Sequence, residues 1–419
     1  NSGSYSWNTT APAVGSSYKI KIRATADSDV VDPSDSTFTI DNTAPTISIS
    51  EPSLSLTKGG PVTYTITYGG ASGITLDGGD LTLNTTGDAT GTMAVSGEGT
   101  AERTVTISDI TGTGTLGISI GAGTATDVAS TPNLAGASGP STTFTVDNTL
   151  PTASTVTMAS NNDPASVANV GDTVTLTIIT DEDVAEPTVT IGGLAATVAG
   201  TDAQHWTATR TMTGEEAEGA LAFTLDFTDL AGNAGTQVTS LTGGSSAVTF
   251  DKTAPVITAA TLTPDGLKKI GDTVTLTITA DAAGYTAGTI LVNSVAVTGF
   301  TNATGGTYTA TYTVVEGNNN QASGVTPISV VLLDAAGNAS TAFTDVTVNT
   351  VSIDADVPTI ISATVGSDPA GPGVSTITVV FSENMDTSVE PSGEITGLAT
   401  TPYDVTESSY SGTTWVGTF

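Results

Sequence analysis

Two short stretches of the chain contain the residue types that bind calcium. Residues 229–233 read Asp-Leu-Ala-Gly-Asn, and residues 334–338 read Asp-Ala-Ala-Gly-Asn. Calcium takes roughly six to eight oxygen ligands from carboxylates, amide side chains and backbone carbonyls. A link between two domains can bring such groups together, so the pattern predicts calcium at domain junctions. The candidate ligands are Asp229, Asn233, Asp251, Asp334, Asn338, Asp354, Asp356, Asp127 and Asp147.

The expected partners of each stretch lie further along the chain. Asp229 and Asn233 lie 22 and 18 positions before Asp251, a distance that one hairpin strand and a turn can cover. The second stretch stands likewise before Asp354 and Asp356. We therefore expect each stretch to share a calcium ion with the aspartate that follows it.

A second interpretation of the same stretches needs no metal. Asp and Asn side chains cap turns through hydrogen bonds to the backbone, and Gly accepts a positive φ angle. The earliest copy also departs from the pattern, because an insertion separates Asp127 from Asn133 before Asp147. Calcium ligation and a plain turn therefore both remain open, and the insertion argues against calcium in the earliest copy.

Three consecutive acids, at residues 181–183, form another candidate cluster. They follow a predicted strand and could supply ligands from the opposite face of the domain. The alternative is a solvated loop, which is the usual environment of adjacent acids.

The residues that most catalytic sites need are scarce. The chain has one histidine, His205, and no cysteine, which excludes His-rich metal sites, thiolate nucleophiles and disulfides. A catalytic triad would depend on His205 alone, and its neighbour Trp206 indicates an ordinary strand position. Paired carboxylates can hydrolyse glycosides, but nothing places two of them in an aromatic pocket. We expect no enzyme activity.

The charge balance limits the possible partners. Asp and Glu number 42 against 9 Lys and Arg, which gives a net charge of −33 at pH 7. Such a chain repels nucleic acid, whereas divalent cations would screen its carboxylates. No stretch approaches the roughly 18 consecutive apolar residues of a membrane-spanning helix. The first residues lack the features of a signal peptide, so we expect an internal fragment of a secreted, cell-surface or cell-wall protein.

A repeated link divides the chain. A strand, an aspartate, a short connection and a proline recur around Asp41, Asp147, Asp251 and Asp354, at intervals of 106, 104 and 103 residues. This period is close to the ~100 residues of an immunoglobulin-type sandwich. The first and last predicted domains are expected to be the C-terminal and N-terminal parts of sandwiches. The five predicted domains are residues 1–41, 42–147, 148–251, 252–354 and 355–419.

Apolar and threonine residues alternate within each period. Val174, Leu176 and Ile178 are separated by threonines, and the same alternation recurs at residues 62–66 and 274–278. A period of two with β-branched residues predicts half-buried strands, and the Gly pairs between them predict turns. The proline in each link limits its freedom. The predicted fold class is all-β: tandem immunoglobulin-like β-sandwich domains in an elongated array.

Four Asn-x-Ser/Thr sequences begin at Asn8, Asn84, Asn302 and Asn338. They predict N-glycosylation acceptors if the protein is secreted. In a chain so rich in threonine, chance also explains them.

The Asp-x-Ala-Gly-Asn stretches and the links that follow them resemble the Ig-like repeats of bacterial and archaeal surface proteins. Such repeats occur in large adhesins, biofilm proteins and S-layer proteins. Residues 3–7 and 18–23 look like the C-terminal half of a wall-associated Ser/Thr-rich sandwich, and residues 358–386 are similar to an S-layer Ig-like domain. The resemblance covers nearly the whole chain and implies an extracellular array.

The expected function is therefore mechanical. The array would be a stalk or spacer of an adhesin or biofilm protein, made rigid by calcium at the domain junctions. One alternative is an S-layer, sheath or filament subunit that assembles laterally with copies of itself. Another is an accessory array of an extracellular hydrolase. The expected partners are other domains of the same long chain, or copies of it in the lateral assembly.

Overall fold

The structure is a computed structural model whose regular structure is almost entirely β-strand. Within its described part, η1 (Gly78–Asp80) is a single short 3-10 helix, and no helix has the length and apolar character needed to cross a bilayer. The chain forms two compact units, Asn1–Phe250 and Asp251–Phe419. The structure describes residues 6, 14–26, 29, 31–99, 101–129, 132–366, 373–389, 391–395 and 403–419.

The N-terminal segment contributes two small antiparallel pairs, β1 with β4 and β2 with β3. Gly3, Tyr5 and Trp7, which carry part of the resemblance to a Ser/Thr-rich sandwich, lie outside the described residues. The strands are β1 (Gly15–Tyr18), β2 (Lys21–Arg23), β3 (Val31–Pro33) and β4 (Phe38–Ile40).

The first repeat, residues 42–147, contains ten strands. They are β5 (Thr46–Ile49), β6 (Leu56–Thr57), β7 (Val62–Gly69), β8 (Gly73–Ile74), β9 (Leu81–Thr85), β10 (Thr90–Ser96), β11 (Glu102–Thr111), β12 (Gly114–Ile120), β13 (Ala125–Thr126) and β14 (Phe144–Val146). The second repeat, residues 148–251, also contains ten. They are β15 (Ala153–Ser160), β16 (Val167–Ala168), β17 (Thr173–Thr180), β18 (Thr188–Ile191), β19 (Leu194–Ala195), β20 (Thr197–Gly200), β21 (His205–Thr211), β22 (Gly219–Ala220), β23 (Phe223–Asp226) and β24 (Thr249–Phe250).

The third repeat, residues 252–354, and the final segment complete the described strands. In the third repeat they are β25 (Ile257–Thr263), β26 (Gly266–Lys268), β27 (Thr273–Ala280), β28 (Thr286–Val292), β29 (Val295–Ala296), β30 (Thr298–Thr304), β31 (Thr307–Thr313), β32 (Ile328–Leu333) and β33 (Val351–Ile353). The final segment has β34 (Ile360–Val365), β35 (Thr376–Phe381), β36 (Gly393–Ile395), β37 (Tyr403–Ser411) and β38 (Thr414–Thr418), in one sheet of order β34-β35-β38-β37-β36.

Strand order identifies the fold of the repeats. In the second repeat one sheet has the order β15-β17-β21-β20, and strands β18 and β23 pair in the other layer. In sequence order these are strands A, B, E and D of an immunoglobulin sandwich, opposed by C and F. The third repeat has the equivalent order β25-β27-β31-β30, and the first has β5-β7-β11-β10. The protein is thus all-β and consists of tandem immunoglobulin-like β-sandwiches.

A short parallel pair closes each sandwich. The pairs β6–β14, β16–β24 and β26–β33 each join a short strand near the start of a repeat to its last strand. The last strand therefore ends beside the short strand that follows strand A, and the chain leaves each repeat there.

Each repeat has its own hydrophobic core. Val174, Leu176 and Ile178 on β17 are fully buried, and their cluster lies within residues 156–250. The clusters of the first and third repeats lie within residues 62–146 and 257–355. The alternating threonines face away from these cores, as period-two patterning requires. The aromatic anchors Tyr64, Phe144, Phe250, Tyr308 and Tyr312 are also fully buried.

Substitution of one core leucine should selectively destabilise the second repeat. We expect Leu176→Ala to lower its free energy of unfolding by about 2–5 kcal/mol, through lost burial and a residual cavity. Amide hydrogen exchange along β17 and β21 measures this loss. Thr177→Ala on the exposed side of the same strand is the control and should change exchange little. Equal losses from both variants would contradict the assignment of inward and outward faces.

Candidate functional site

Three segments of the second repeat meet at one end of its sandwich. Strand β15 begins there and pairs at Ala153 with Thr180, where the antiparallel β17 ends. The loop after β23 reaches the same end, because Val184, just beyond β17, forms a bridge with Asp229. Strand direction thus brings the incoming link, the loop 181–183 and the Asp-x-Ala-Gly-Asn stretch together.

The Asp-x-Ala-Gly-Asn stretch of the second repeat is tied to the incoming link by one side-chain amide. Asn233 Nδ2 donates to Asp229 Oδ2 at 2.7 Å and to the backbone carbonyl of Asp147 at 2.8 Å. The Asn233 backbone N–H donates to Asp229 Oδ1 at 2.7 Å. Asp229 and Asn233 are both buried. We call this set of bonds the Asp–Asn clamp.

The third repeat has the same clamp. Asn338 Nδ2 donates to Asp334 Oδ2 at 2.9 Å and to the Asp251 carbonyl at 3.0 Å. Its backbone N–H donates to Asp334 Oδ1 at 2.9 Å. Gly232 and Gly337, which directly precede the asparagines, have φ angles of 95° and 89°. A left-handed residue there returns the chain toward the aspartate, which explains the glycine of the pattern.

The first repeat also has the clamp, despite its longer spacing. Asn133 Nδ2 donates to Asp127 Oδ2 and, at 3.1 Å, to the Asp41 carbonyl. The bond from Asn133 lowers the pKa of the Asp127 carboxyl below its usual value. Part of the insertion, residues 130 and 131, lies outside the described residues. The insertion therefore lengthens the loop and leaves the two clamping residues in place.

The link aspartates form a turn of their own. The carboxylates of Asp41, Asp147 and Asp251 each accept a hydrogen bond from the backbone N–H two residues later, at 3.0, 2.9 and 2.9 Å. Such a turn fixes the direction in which the chain enters the next strand. The carbonyl oxygen of the same residue accepts the clamp bond, so each link aspartate is held at two points.

These contacts correct the expected pairing of the stretches with the links. Asn233 contacts Asp147, the aspartate before its repeat, and Asp251 is the partner of Asn338. The physical reason is strand direction, since β24 runs from the clamped end toward the opposite end of the second repeat. Asp354 and Asp356 have other contacts: the Asp356 N–H reaches Asp354 Oδ1 at 3.4 Å, and Asn320 Nδ2 reaches Asp356 Oδ2 at 2.7 Å.

Three carboxylates converge beside the clamp of the second repeat. Oxygen atoms of Asp147, Glu182 and Asp229 lie within 4.8 Å of one another. We call them the carboxylate cluster. The expectation that residues 181–183 act from the opposite face is wrong, because the end of β17 lies next to the start of β15. Among the described residues, no Lys or Arg forms a salt bridge with the cluster.

The electrostatics of the cluster favour a cation. Burial raises the pKa of the Glu182 carboxyl above its usual value, and the charges of Asp147 and Asp229 raise it further. Its neighbour Asp181 has a structural role, since it accepts bonds from the Thr152 N–H at 2.7 Å and hydroxyl at 2.8 Å. These bonds lower the pKa of Asp181.

The third repeat lacks one of the acidic residues that form the carboxylate cluster of the second repeat. In the third repeat Asp281 accepts a bond from the Val256 N–H at 3.0 Å, as Asp181 does from Thr152. The next residue is Ala282, where the second repeat has Glu182. The third repeat therefore has the clamp without this third carboxylate.

The final segment again has a glutamate at the corresponding place. Glu383 follows β35 and lines a cleft of about 290 Å³ with Asp354, Asp356 and Lys269. Burial raises the pKa of Glu383, and the charges of Asp354 and Asp356 add to the effect. Its Oε1 atom is buried and has no hydrogen-bond partner among the described residues.

Two contacts of the second repeat did not follow from the sequence patterns. Lys58, which follows β6 in the first repeat, donates from Nζ to the Gly232 carbonyl in the loop of the second repeat. Glu182 lies in the cluster because the end of β17 pairs with the start of β15. In the sequence, only the position of Glu182 shortly after a strand pointed to this contact.

His205 begins β21, and its exposed ring contacts Asp202 at 2.9 Å.

Comparisons with known proteins identify no family for this chain. No family model matches the chain, and no curated protein matches it. The chain is similar to the N-terminal eight Ig domains of Down Syndrome Cell Adhesion Molecule, at 13% identity and a TM-score of 0.18, over 93% of this chain and 53% of that one.

A second similar structure is the Bacteroides ovatus mixed-linkage glucan utilization locus protein SGBP-B in complex with a mixed-linkage heptasaccharide. The identity is 13% and the TM-score 0.15, over 90% of this chain and 92% of that one. With TM-scores this low, neither similarity supports a conclusion about function, and the fold assignment rests on the strand order.

Loss of the clamp amide should destabilise the second repeat. Asn233→Ala removes the side-chain donor to Asp229 Oδ2 and to the Asp147 carbonyl, whereas the backbone N–H still donates to Asp229 Oδ1. We expect a cost of about 1–3 kcal/mol. Hydrogen exchange of the β15 and β17 amides measures it. Gln237→Ala is the control, since Gln237 bonds the exposed carboxylate of Asp226. If both variants exchange like the parent chain, the clamp does not stabilise the repeat.

Neutralising Glu182 should stabilise the second repeat when calcium is chelated. A carboxyl whose pKa is raised by folding opposes folding above that pKa, so Glu182→Gln should raise the thermal midpoint at pH 7. The gain should shrink as pH falls through the raised pKa, because the parent side chain then becomes protonated. The exposed Glu186→Gln is the matched control. A lower midpoint for Glu182→Gln in chelator would contradict the repulsion inferred for the cluster.

Proposed function

We propose that this chain is a non-catalytic spacer region of an extracellular surface protein, of the adhesin or biofilm type. The observation that carries the proposal is the repeated clamp. Three sandwiches, each with its own core, hold the incoming link through the same amide bonds at Asn133, Asn233 and Asn338. A spacer needs this kind of repetition, because every junction must fix the direction of the next domain.

The carboxylate cluster is the best candidate for a calcium ion at a junction. Calcium–oxygen distances of about 2.3–2.6 Å place ligands on opposite sides of the ion roughly 4.6–5.2 Å apart. The oxygens of Asp147, Glu182 and Asp229 lie no more than 4.8 Å apart, which is close enough for all three to contact one ion. A divalent cation would also offset the repulsion among three carboxylates. Backbone carbonyls and water would complete the coordination.

A bound ion would join two repeats. Asp147 belongs to the link that leaves the first repeat, whereas Glu182 and Asp229 belong to the body of the second. The Lys58 contact with the Gly232 carbonyl already connects the same two repeats. Calcium would therefore narrow the range of orientations between them, and rigidity would depend on external calcium.

Removal of one cluster carboxylate should abolish this calcium site. We expect Asp147→Asn to lower the number of calcium ions bound in isothermal titration calorimetry and to remove the calcium-dependent protection of β15 and β17 in hydrogen exchange. The asparagine oxygen can still accept the bond of the link turn. Asp251→Asn is the matched control, since that link has the clamp but the third repeat has Ala282 where the second has Glu182. Unchanged binding by the Asp147 variant would exclude the cluster as a calcium site.

Spin labels provide a test of the mechanical role. The chain has no cysteine, so Ala94→Cys and Ala199→Cys label one exposed site in each of the first two repeats. Double electron–electron resonance should give a narrower distance distribution in calcium than in chelator. The same comparison with Asp147→Asn should show no narrowing. Equally broad distributions in every case would contradict a rigid junction.

One observation favours lateral assembly as a second candidate function. Strand β10 lies at the edge of its sheet, spans seven residues and contains neither a charge nor a proline. Soluble β-proteins usually protect such edges with charges, prolines or bulges, and β10 has only a register shift between Thr90 and Thr92, near its start. If copies pair through this edge, sedimentation should show concentration-dependent growth that Ala94→Lys prevents.

A further inference from the structure

Three of the four Asn-x-Ser/Thr sequences lie in the described part of the chain, and their environments differ. Asn8 lies outside the described residues. N-linked glycosylation forms a bond between the amide nitrogen and a sugar C1 carbon. It breaks the bond from C1 to the phosphate oxygen of a lipid-linked sugar donor, and the amide gives up a proton. An amide nitrogen held by hydrogen bonds within the fold must be released first.

Asn338 is closed by the clamp. Its Nδ2 atom donates to Asp334 Oδ2 at 2.9 Å and to the Asp251 carbonyl at 3.0 Å. A sugar on this nitrogen would remove at least one of these bonds and would separate the loop from the link. A glycan at Asn338 is therefore incompatible with the intact clamp.

The side-chain amide of Asn84 also forms a hydrogen bond within the fold. Its Nδ2 atom donates to the Ser119 hydroxyl at 2.9 Å, across the pair of strands β9 and β12. The residue is partly buried in the first repeat. Release of this amide requires loss of its bond to the Ser119 hydroxyl.

Asn302 is in a different position. It lies on β30, the edge strand of its sheet, and residues 301–305 are all exposed. The described structure shows no hydrogen bond of its side chain. The register of β30 against β31 is interrupted between Asn302 and Thr304, and the turn at Gly305 and Gly306 follows directly. Both the acceptor amide and the Thr304 hydroxyl of the sequon are accessible at a hairpin tip.

We propose that Asn302 is a modification site that accepts an N-linked glycan in the folded protein, and that Asn84 and Asn338 are closed to the same reaction. The sugar donor is a polyprenyl-phosphate-linked oligosaccharide, transferred by an oligosaccharyltransferase. The glycan stands on an unpaired strand edge and blocks pairing of that edge with another chain. Its biological use rests on the proposed extracellular location, whereas the acceptor chemistry does not.

The test compares the folded chain with short peptides that carry the same sequons. The purified chain and peptides of residues 80–88, 298–306 and 334–342 are incubated with a single-subunit oligosaccharyltransferase and a lipid-linked donor. Mass spectrometry measures occupancy at each asparagine. Each peptide gives the reactivity of the same sequon without the fold. Dividing by this value removes the preference of the enzyme for one sequon sequence over another.

For each asparagine, the occupancy in the folded chain is divided by the occupancy in the matching peptide. This ratio should be at least about tenfold higher for Asn302 than for Asn84 or Asn338, because the amides of Asn84 and Asn338 must first lose their hydrogen bonds. Thr304→Ala should abolish modification at Asn302 without changing the acceptor residue. Asn302 unmodified in the folded chain but modified in its peptide would overturn the proposal, as would equal relative modification of Asn338. Neither result depends on whether the protein is a spacer or binds calcium.

Discussion

One side-chain amide holds the link at the start of each of the three repeats. The asparagine at the end of the Asp-x-Ala-Gly-Asn stretch donates both to the aspartate of its own loop and to the carbonyl of the incoming link. This residue therefore satisfies a carboxylate and a backbone acceptor that would otherwise be buried without partners, which is costly. Because the link aspartate also forms its own turn, the direction of entry into strand A is fixed twice.

Charge is the second constraint. With 42 acids and 9 bases, the chain cannot neutralise its carboxylates with its own cations. The clamp uses one solution, in which amide and backbone N–H groups stabilise Asp127, Asp229 and Asp334. In the carboxylate cluster Glu182 adds a third carboxylate. Burial opposes the ionisation of this side chain. An external cation is the natural complement of such a group.

Strand patterning made the fold predictable from the sequence. Alternation at residues such as Val174, Leu176 and Ile178 shows which face is buried, and the recurring link aspartates give the period. The sequence did not reveal the end of the sandwich at which the stretch 229–233 lies. That depends on the direction of β23 relative to the incoming link, which a local pattern does not contain. For the same reason, Glu182 was assigned to the wrong face, and the contact from Lys58 was not foreseen.

The clamp itself can be tested by one measurement, the exchange rate of individual side-chain amide protons by NMR spectroscopy. The account predicts that the Nδ2 protons of Asn133, Asn233 and Asn338 exchange slowly and respond together to loss of the fold. The exposed amide of Asn302, which has no hydrogen bond in the described structure, provides the reference for fast exchange. If the three clamp amides exchange as fast as this reference in the folded chain, they do not hold the links, and the junctions must be fixed by other contacts.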